Sequence, residues 1–114
     1  MRGNEYAWRV TDIPAVIEAA RDAGLVNIGG QLQFRLPSGA TCECYWVEVD
    51  TFKSVPEVLR WNERVARTAE AAAADFIRLQ SKYDFMLEGW RAFGEHLRGY
   101  EEQGGRAAEV MCFV

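Results

Sequence analysis

Three features are absent from this 114-residue sequence: a cluster of basic residues, a long apolar run and an even number of cysteines. Without a concentrated basic face the chain cannot neutralise many phosphates, which argues against nucleic-acid binding. No run approaches the roughly 20 apolar residues of a membrane span, so we expect no membrane association. An odd count of three cysteines gives no disulfide framework and favours a reducing, cytoplasmic location.

The composition is typical of a globular protein. Hydrophobic residues make up 49% of the chain and charged residues 26%, so enough apolar surface is available to offset the entropy lost on folding. The net charge of -4 is spread over both halves. Residues 1–54 carry five basic and seven acidic side chains, and residues 55–114 carry eight and ten. A net negative surface suits solubility and would suit a basic protein partner.

The N-terminal part predicts a strand followed by a helix. Residues 6–10 alternate large apolar and other side chains, which is the period of a strand. The pair at 11–12 (Thr-Asp) offers an N-cap, and Pro14 falls in the first turn, where its missing N–H costs nothing. Gly24 is placed to end an amphipathic helix over residues 13–23.

The next section predicts a β-hairpin whose register follows from its turn. Residues 31–36 alternate between polar and apolar, and residues 41–49 are rich in strand formers. The segment 37–39 (Pro-Ser-Gly) suits a three-residue loop that ends in a left-handed glycine. Such a loop pairs Leu36 with Ala40. A slip of one residue would place the charged Glu43 opposite Phe34, on the apolar side.

This register sorts the hairpin residues onto two faces, and at its far end it pairs Gly30 with Trp46. The predicted apolar face holds Leu32, Phe34, Leu36, Cys42, Cys44 and Trp46. The other, mainly polar face holds Gln31, Gln33, Arg35, Glu43, Tyr45 and Val47.

Residues 55–103 predict a long helical segment. Ser54 is placed as its N-cap, and Glu57 completes a capping box. Apolar or small residues then follow at steps of three and four, the spacing of a coiled-coil seam. This seam consists of Val58, Trp61, Val65, Ala69, Ala72, Phe76, Leu79, Tyr83, Met86, Trp90, Phe93, Leu97 and Tyr100.

The length of this segment poses a geometric problem. A continuous helix over residues 55–103 would be about 70 Å long, whereas a domain of this size has a radius of gyration of only about 13 Å. The segment must fold back as a hairpin, with Asp84 or Ser81 capping a new helix, or project and bury its seam against a second molecule. Residues 80–85 contain no Gly, Pro or Asn, and the seam runs through them in phase. A continuous helix, and a homodimer formed through it, is therefore the favoured prediction.

Together these elements predict an α+β fold. It consists of a small antiparallel sheet, an element order β-α-β-β-α-β, and one very long or hairpinned C-terminal helical segment. The order is shared by ferredoxin-like plaits. We expect one domain over residues 1–114, made of a β-α-β-β part (5–54), the helical segment (55–103) and a C-terminal strand (108–114).

Residue types that carry metal or catalytic chemistry are sparse. Cys42 and Cys44 are two apart on a strand, whereas zinc knuckles use turns, so both are predicted to lie in the core. His96, the only histidine, has no Ser or Cys placed beside it and is expected at the surface. The glycine pair at 29–30 precedes a strand instead of opening a helix, which indicates a bend and not a phosphate loop. We expect no catalytic residue, no metal and no cofactor.

Two groups of residues are candidates for contact with another protein. The polar hairpin face offers amides, an arginine and a tyrosine, which suit an interface and equally suit a solvated face. The helical seam offers aromatic side chains that would not stay exposed on a projecting helix. The candidate partner-binding residues are Gln31, Gln33, Arg35, Glu43, Tyr45, Phe76, Tyr83, Trp90 and Phe93.

These features predict a small protein that binds another protein and inhibits or organises it. Bacterial toxin-immunity proteins and anti-defence inhibitors share this small size, acidity and lack of a catalytic constellation. One alternative is a dimeric ferredoxin-like protein that binds or converts a small molecule, with Trp8, Tyr45, Trp46 and His96 lining its site. Another is a structural subunit that assembles with itself through the helix.

Overall fold

The sheet is antiparallel throughout, and its strands lie in the order β1-β4-β2-β3. The computed structural model describes residues 7–51, 55–56 and 58–114. Its strands are β1 (Trp8–Arg9), β2 (Gly29–Arg35), β3 (Thr41–Asp50) and β4 (Met111–Phe113). Its helices are α1 (Ile13–Asp22), α2 (Trp61–Lys82), α3 (Phe85–Glu102) and the short α4 (Ala107–Val110), and a 3-10 turn at Val10–Asp12 precedes α1.

The α+β class is as predicted, but the β-α-β-β-α-β order and the ferredoxin-like plait are wrong. The single helical element expected before the last strand is instead α2, α3 and α4. A plait places its first and third strands in the middle of the sheet, whereas here β4 and β2 lie in the middle. The cause is the last strand, because β4 lies between β1 and β2 and pairs with both. Residues 108–110, predicted as part of that strand, belong to α4. Of the predicted first strand (6–10), residue 6 lies outside the described residues, β1 covers Trp8–Arg9, and Val10 begins the 3-10 turn.

The turn of the hairpin is confirmed. The Leu36 N–H donates to the Ala40 carbonyl at 2.9 Å, and the Gly39 N–H donates to the Leu36 carbonyl at 3.0 Å. Gly39 has φ +97°, a region that favours glycine because a side chain there would be strained. Leu32 pairs with Cys44, as the predicted register requires.

The far end of the hairpin departs from the predicted register because β3 contains a bulge. The partner of Leu32 is Cys44, but the partner of Gln31 is Glu48, so residues 45–47 are additional. This odd insertion reverses the alternation of inward and outward side chains. Gly30 therefore pairs with Val49 and not with Trp46, and Val47, predicted for the polar face, is fully buried.

The continuous helix is wrong, because the helical segment breaks at two extended residues. Tyr83 and Asp84 have φ/ψ of -124°/139° and -85°/106°. The Asp84 carboxylate then caps α3 by accepting the Leu87 N–H at 3.2 Å. The phase of the seam survives the break because both helices turn their apolar side to the same core.

The start of α2 also differs from the prediction. The helix begins at Trp61, after an extended Arg60 that makes no side-chain cap. Val58 is 93% exposed and Trp61 58% exposed, so neither belongs to the buried seam. The predicted capping box falls on Ser54 and Glu57, which lie outside the described residues.

The rest of the seam covers the protein's own sheet. Its residues in α2 and α3 are buried or pack against the buried core. The small side chains of Ala69 and Ala72 face a close neighbour, but this neighbour is α1 of the same chain. The predicted homodimer relied on an exposed seam, whereas the seam residues from Val65 to Tyr100 are covered within the chain.

Candidate functional site

The two faces of the sheet carry different side chains. On the inner face, residues of β2, β3 and β4 and of α1, α2 and α3 share one hydrophobic core. The outer face carries a row of four neighbours across the sheet, because Arg9 pairs with Cys112, Cys112 with Gln33, and Gln33 with Glu43. Directly opposed residues of antiparallel strands point to the same side, so these four side chains lie on the outer face.

Positively and negatively charged side chains lie on different strands of the outer face. Arg9 lies on the edge strand β1, and the Arg35 guanidinium donates from Nε to Gln33 Oε1 at 2.9 Å. On the opposite edge strand β3, Glu43 and Glu48 are both exposed. The basic residues Arg9 and Arg35 therefore lie on β1 and β2, and the acidic residues Glu43 and Glu48 lie on β3.

A hollow of about 380 Å³ opens on this face beside the bulge. Its lining includes the amide residues Gln31 and Gln33 and the acidic residues Glu43, Glu48 and Asp50, whose side-chain oxygens are of the acceptor type. Such a wall can accept the N–H groups of a lysine or arginine side chain. The complete lining is Ile28, Gly29, Gly30, Gln31, Gln33, Glu43, Glu48, Val49, Asp50 and Val114.

The cysteine on this face is not a reactive nucleophile. The Cys112 thiol is buried and lies 3.5 Å from the Gln33 carbonyl, to which it donates. Burial raises the pKa of Cys112, although the nearby Arg35 partly opposes this shift. Because the thiolate is the nucleophilic form, a raised pKa keeps this side chain inert at neutral pH.

The other two cysteines lie in the core, as predicted. Burial raises the pKa of Cys42. It raises the pKa of Cys44 to about 11, with Cys42 and Glu88 adding to the effect. Within the described ranges, no three side chains of His, Cys, Asp or Glu come together as a metal-binding group.

The predicted contact residues fall into two separate sets. One set belongs to the hairpin, and its aromatic residue, Tyr45, is 68% exposed. This set consists of Gln31, Gln33, Arg35, Glu43 and Tyr45. Gln33 is almost completely buried between its neighbours on this face.

The aromatic set does not form a surface. Phe76 is 1% exposed and packs edge-to-face on Phe85 and Phe113 at ring distances of 6.1 and 5.4 Å. Tyr83, Trp90 and Phe93 are half-buried and pack against the same core. Their role in the structure is to cover the sheet.

Among the residues predicted to line a small-molecule site, Tyr45 and Trp46 pack edge-to-face with ring centroids 5.2 Å apart, whereas Trp8 and His96 lie at two different hollows. Trp8 stands at an apolar crevice of about 70 Å³ between α1, α2 and the sheet. Trp46 donates from Nε1 to Glu88 Oε1 of α3 at 2.9 Å. His96 is exposed, as predicted, and lies near the hairpin turn. They do not enclose a common ligand.

Sequence reasoning missed Glu48 and Asp50 as parts of the hollow because it missed the bulge. A signal for the bulge is present in the sequence. Small apolar residues fall at the even positions 42 and 44 and then at the odd positions 47 and 49, where Val47 and Val49 are both buried. This change of phase requires an odd number of additional residues between the two pairs.

Among the described residues, no helix is both long enough and apolar enough to cross a bilayer. Comparison with protein-family models, curated proteins and solved structures finds no match to this chain.

Proposed function

We propose that this protein binds another protein through the outer face of its sheet and thereby inhibits or organises it. The observation that carries this proposal is the hollow beside β3, where Glu43 and Glu48 stand among amide oxygens. The partner presents at least one lysine or arginine to this hollow, because carboxylates and amide oxygens accept the N–H groups of a cation.

The charge distribution of the chain supports this proposal. The ion pairs recorded within the described residues, Asp75–Arg78 and Glu88–Arg91, lie on the helices. Glu43 and Glu48 are instead exposed on the edge strand β3, whereas Arg9 lies on the opposite edge strand β1 and Arg35 on β2. An acidic edge of this kind steers a basic partner and fixes its orientation, which contributes to association rate and specificity.

The experiment compares two double variants of equal net charge as bait in a native host lysate. Glu43→Gln with Glu48→Gln neutralises the hollow, and Glu70→Gln with Glu102→Gln neutralises two exposed helical sites. We expect one protein to be retained in stoichiometric amount by the wild type and by the helical variant, and to be lost from the hollow variant. Equal retention by both variants, or retention of no protein by the wild type, contradicts the proposal.

The apolar crevice at Trp8 supports a second candidate, the binding of a small apolar molecule. Its wall contains Ile17, Ala72 and Phe76 from α1 and α2, with Asn27 as a polar group. Apolar pockets with few polar groups are typical of small-molecule sites. A ligand bound there should change the fluorescence of Trp8 and lose affinity in the cavity-filling variant Ala72→Val, so titration with small aromatic and alkyl compounds tests this candidate.

A further inference from the structure

We infer that the partner adds a short basic strand to the free edge of β3 at residues 41–45. This inference rests on the proposed function and specifies how the partner is held. Among the described residues the sheet order is β1-β4-β2-β3, so β3 lies at one end and β2 is its only strand neighbour there. An edge strand of this kind is a template for a strand of another chain.

The register shows which main-chain groups are available. The Leu36 N–H donates to the Ala40 carbonyl, so the alternation of an antiparallel ladder turns the groups of residues 40, 42 and 44 toward β2. The N–H and C=O groups of Thr41 and Glu43 consequently point away from the sheet, toward solvent. An added strand can form main-chain hydrogen bonds with both residues.

The bulge sets the length of this edge. Residues 45–47 interrupt the regular ladder, and a bulge bends its strand and ends regular pairing. The paired stretch from the hairpin turn to the bulge is residues 41–44. Together with Tyr45, the first residue of the bulge, it corresponds to about 17 Å of strand at ~3.3 Å per residue. The added strand is accordingly about five residues long.

Charge determines the kind of strand that fits. The side chains of Glu43 and Tyr45 are exposed beside this edge, and Glu48 follows after the bulge. Oppositely charged residues on neighbouring strands stabilise pairing, and like charges destabilise it. A strand with lysine or arginine at every second position places its basic side chains beside Glu43 and over the hollow.

The same charges disfavour a second copy of this chain as the occupant. A symmetric antiparallel pairing of two 41–45 edges has its two-fold axis at Glu43, because the same surface is used by both copies. That arrangement sets Glu43 against Glu43 on the outer face. The edge is therefore suited to a basic strand of a different protein.

The first test uses three synthetic peptides with alternating residues: lysine and valine, the same peptide with N-methylated backbone amides along one edge, and glutamate and valine. Binding of each labelled peptide to the full chain is measured by fluorescence anisotropy. We expect the lysine peptide to bind, and the N-methylated and glutamate peptides to bind at least about tenfold more weakly, the size expected from one or two lost hydrogen bonds or ion contacts. Equal binding of the lysine peptide and its N-methylated form overturns the inference.

The second test changes one main-chain donor of the protein. Thr41→Pro removes the outward N–H of residue 41 but no hydrogen bond to β2, and Thr41→Ala is the control that keeps the donor. We expect Thr41→Pro to weaken binding of the lysine peptide about tenfold and Thr41→Ala to leave it unchanged. Where both variants bind like the wild type but Glu43→Gln with Glu48→Gln does not, strand addition is overturned and the proposed acidic site stands.

Discussion

The inner and outer faces of the sheet are built from the same strands, but they have different roles. The inner face is a continuous apolar surface that α1, α2 and α3 cover, with Leu32, Phe34 and Cys44 buried. The outer face carries charges that are separated between its edges and a hollow of about 380 Å³. A side chain on the inner face therefore matters for stability, whereas an exposed carboxylate on the outer face is free to act in recognition.

The largest difference in the free energy of unfolding is expected between alanine substitutions at two adjacent residues of α2. Phe76 is 1% exposed and Ile77 is 63% exposed. Phe76→Ala leaves a cavity and should lower the free energy of unfolding by about 3–5 kcal/mol. Ile77→Ala should change it by less than about 0.5 kcal/mol, because the side chain is at the surface. Urea unfolding followed by circular dichroism measures both values, and similar losses would contradict the placement of α2.

A second contrast compares two glycines of α3. A Cβ at Gly89 would overlap the Phe34 ring, whereas a Cβ at Gly99 would meet no atom within 4 Å. Gly89→Ala forces α3 away from the sheet and should cost about 1–3 kcal/mol, as overpacking typically does. Gly99→Ala should raise stability by up to about 1 kcal/mol, since alanine favours a helix over glycine. A melting temperature that shifts in the same direction for both variants would show that α3 does not approach Phe34.

The third prediction concerns how the free energy of unfolding depends on pH through Cys44, a residue of the inner face. Burial raises the pKa of Cys44 to about 11 from a usual value of 9.0. The folded state therefore keeps its thiol proton at a pH where the unfolded chain releases it. Stability from this group is complete below about pH 9 and is lost as the pH rises toward 11, by roughly 2 kcal/mol in total.

The variant Cys44→Ala isolates this contribution. Its free energy of unfolding should be lower than that of the wild type at neutral pH and should fall less steeply between pH 9 and pH 11. Parallel stability curves for the two proteins over this range would show that Cys44 does not titrate differently on folding.

The smallest effect on stability is expected on the outer face. Glu43 and Glu48 are exposed and lie near one another around the hollow. Replacing both by glutamine should alter the free energy of unfolding by less than about 0.5 kcal/mol, because surface substitutions away from packing features usually do. A loss of 2 kcal/mol or more in urea unfolding would mean that these carboxylates stabilise the fold and are not reserved for binding.

The sequence predicts those parts of the fold that depend on local signals. The hairpin turn follows from the glycine at position 39, and the extent of α1 follows from Pro14 and Gly24. The apolar side of α2 and α3 follows from the spacing of three and four. Each of these features depends on neighbouring residues alone, so no tertiary contact was needed to recognise it.

The remaining features are decided by contacts between distant segments. The break at Tyr83 and Asp84 keeps the phase of the seam, so periodicity alone cannot distinguish it from a continuous helix. The position of β4 between β1 and β2 depends on pairing across nearly the whole chain. The hairpin half of the predicted contact set lies on the outer face, but the aromatic half lies in or against the core. The prediction of partner contact for those aromatic residues relied on a projecting helix, whereas in this structure they cover the sheet.

The most direct test of the division between the two faces is a charge swap on β3. Fluorescence anisotropy would measure binding of the lysine–valine and glutamate–valine peptides to the wild type, to Glu43→Lys with Glu48→Lys, and to Glu70→Lys with Glu102→Lys. We predict that the wild type and the helical variant prefer the lysine peptide, and that the β3 variant prefers the glutamate peptide while remaining folded. Binding that responds equally to both pairs of substitutions would contradict the assignment of recognition to the outer face.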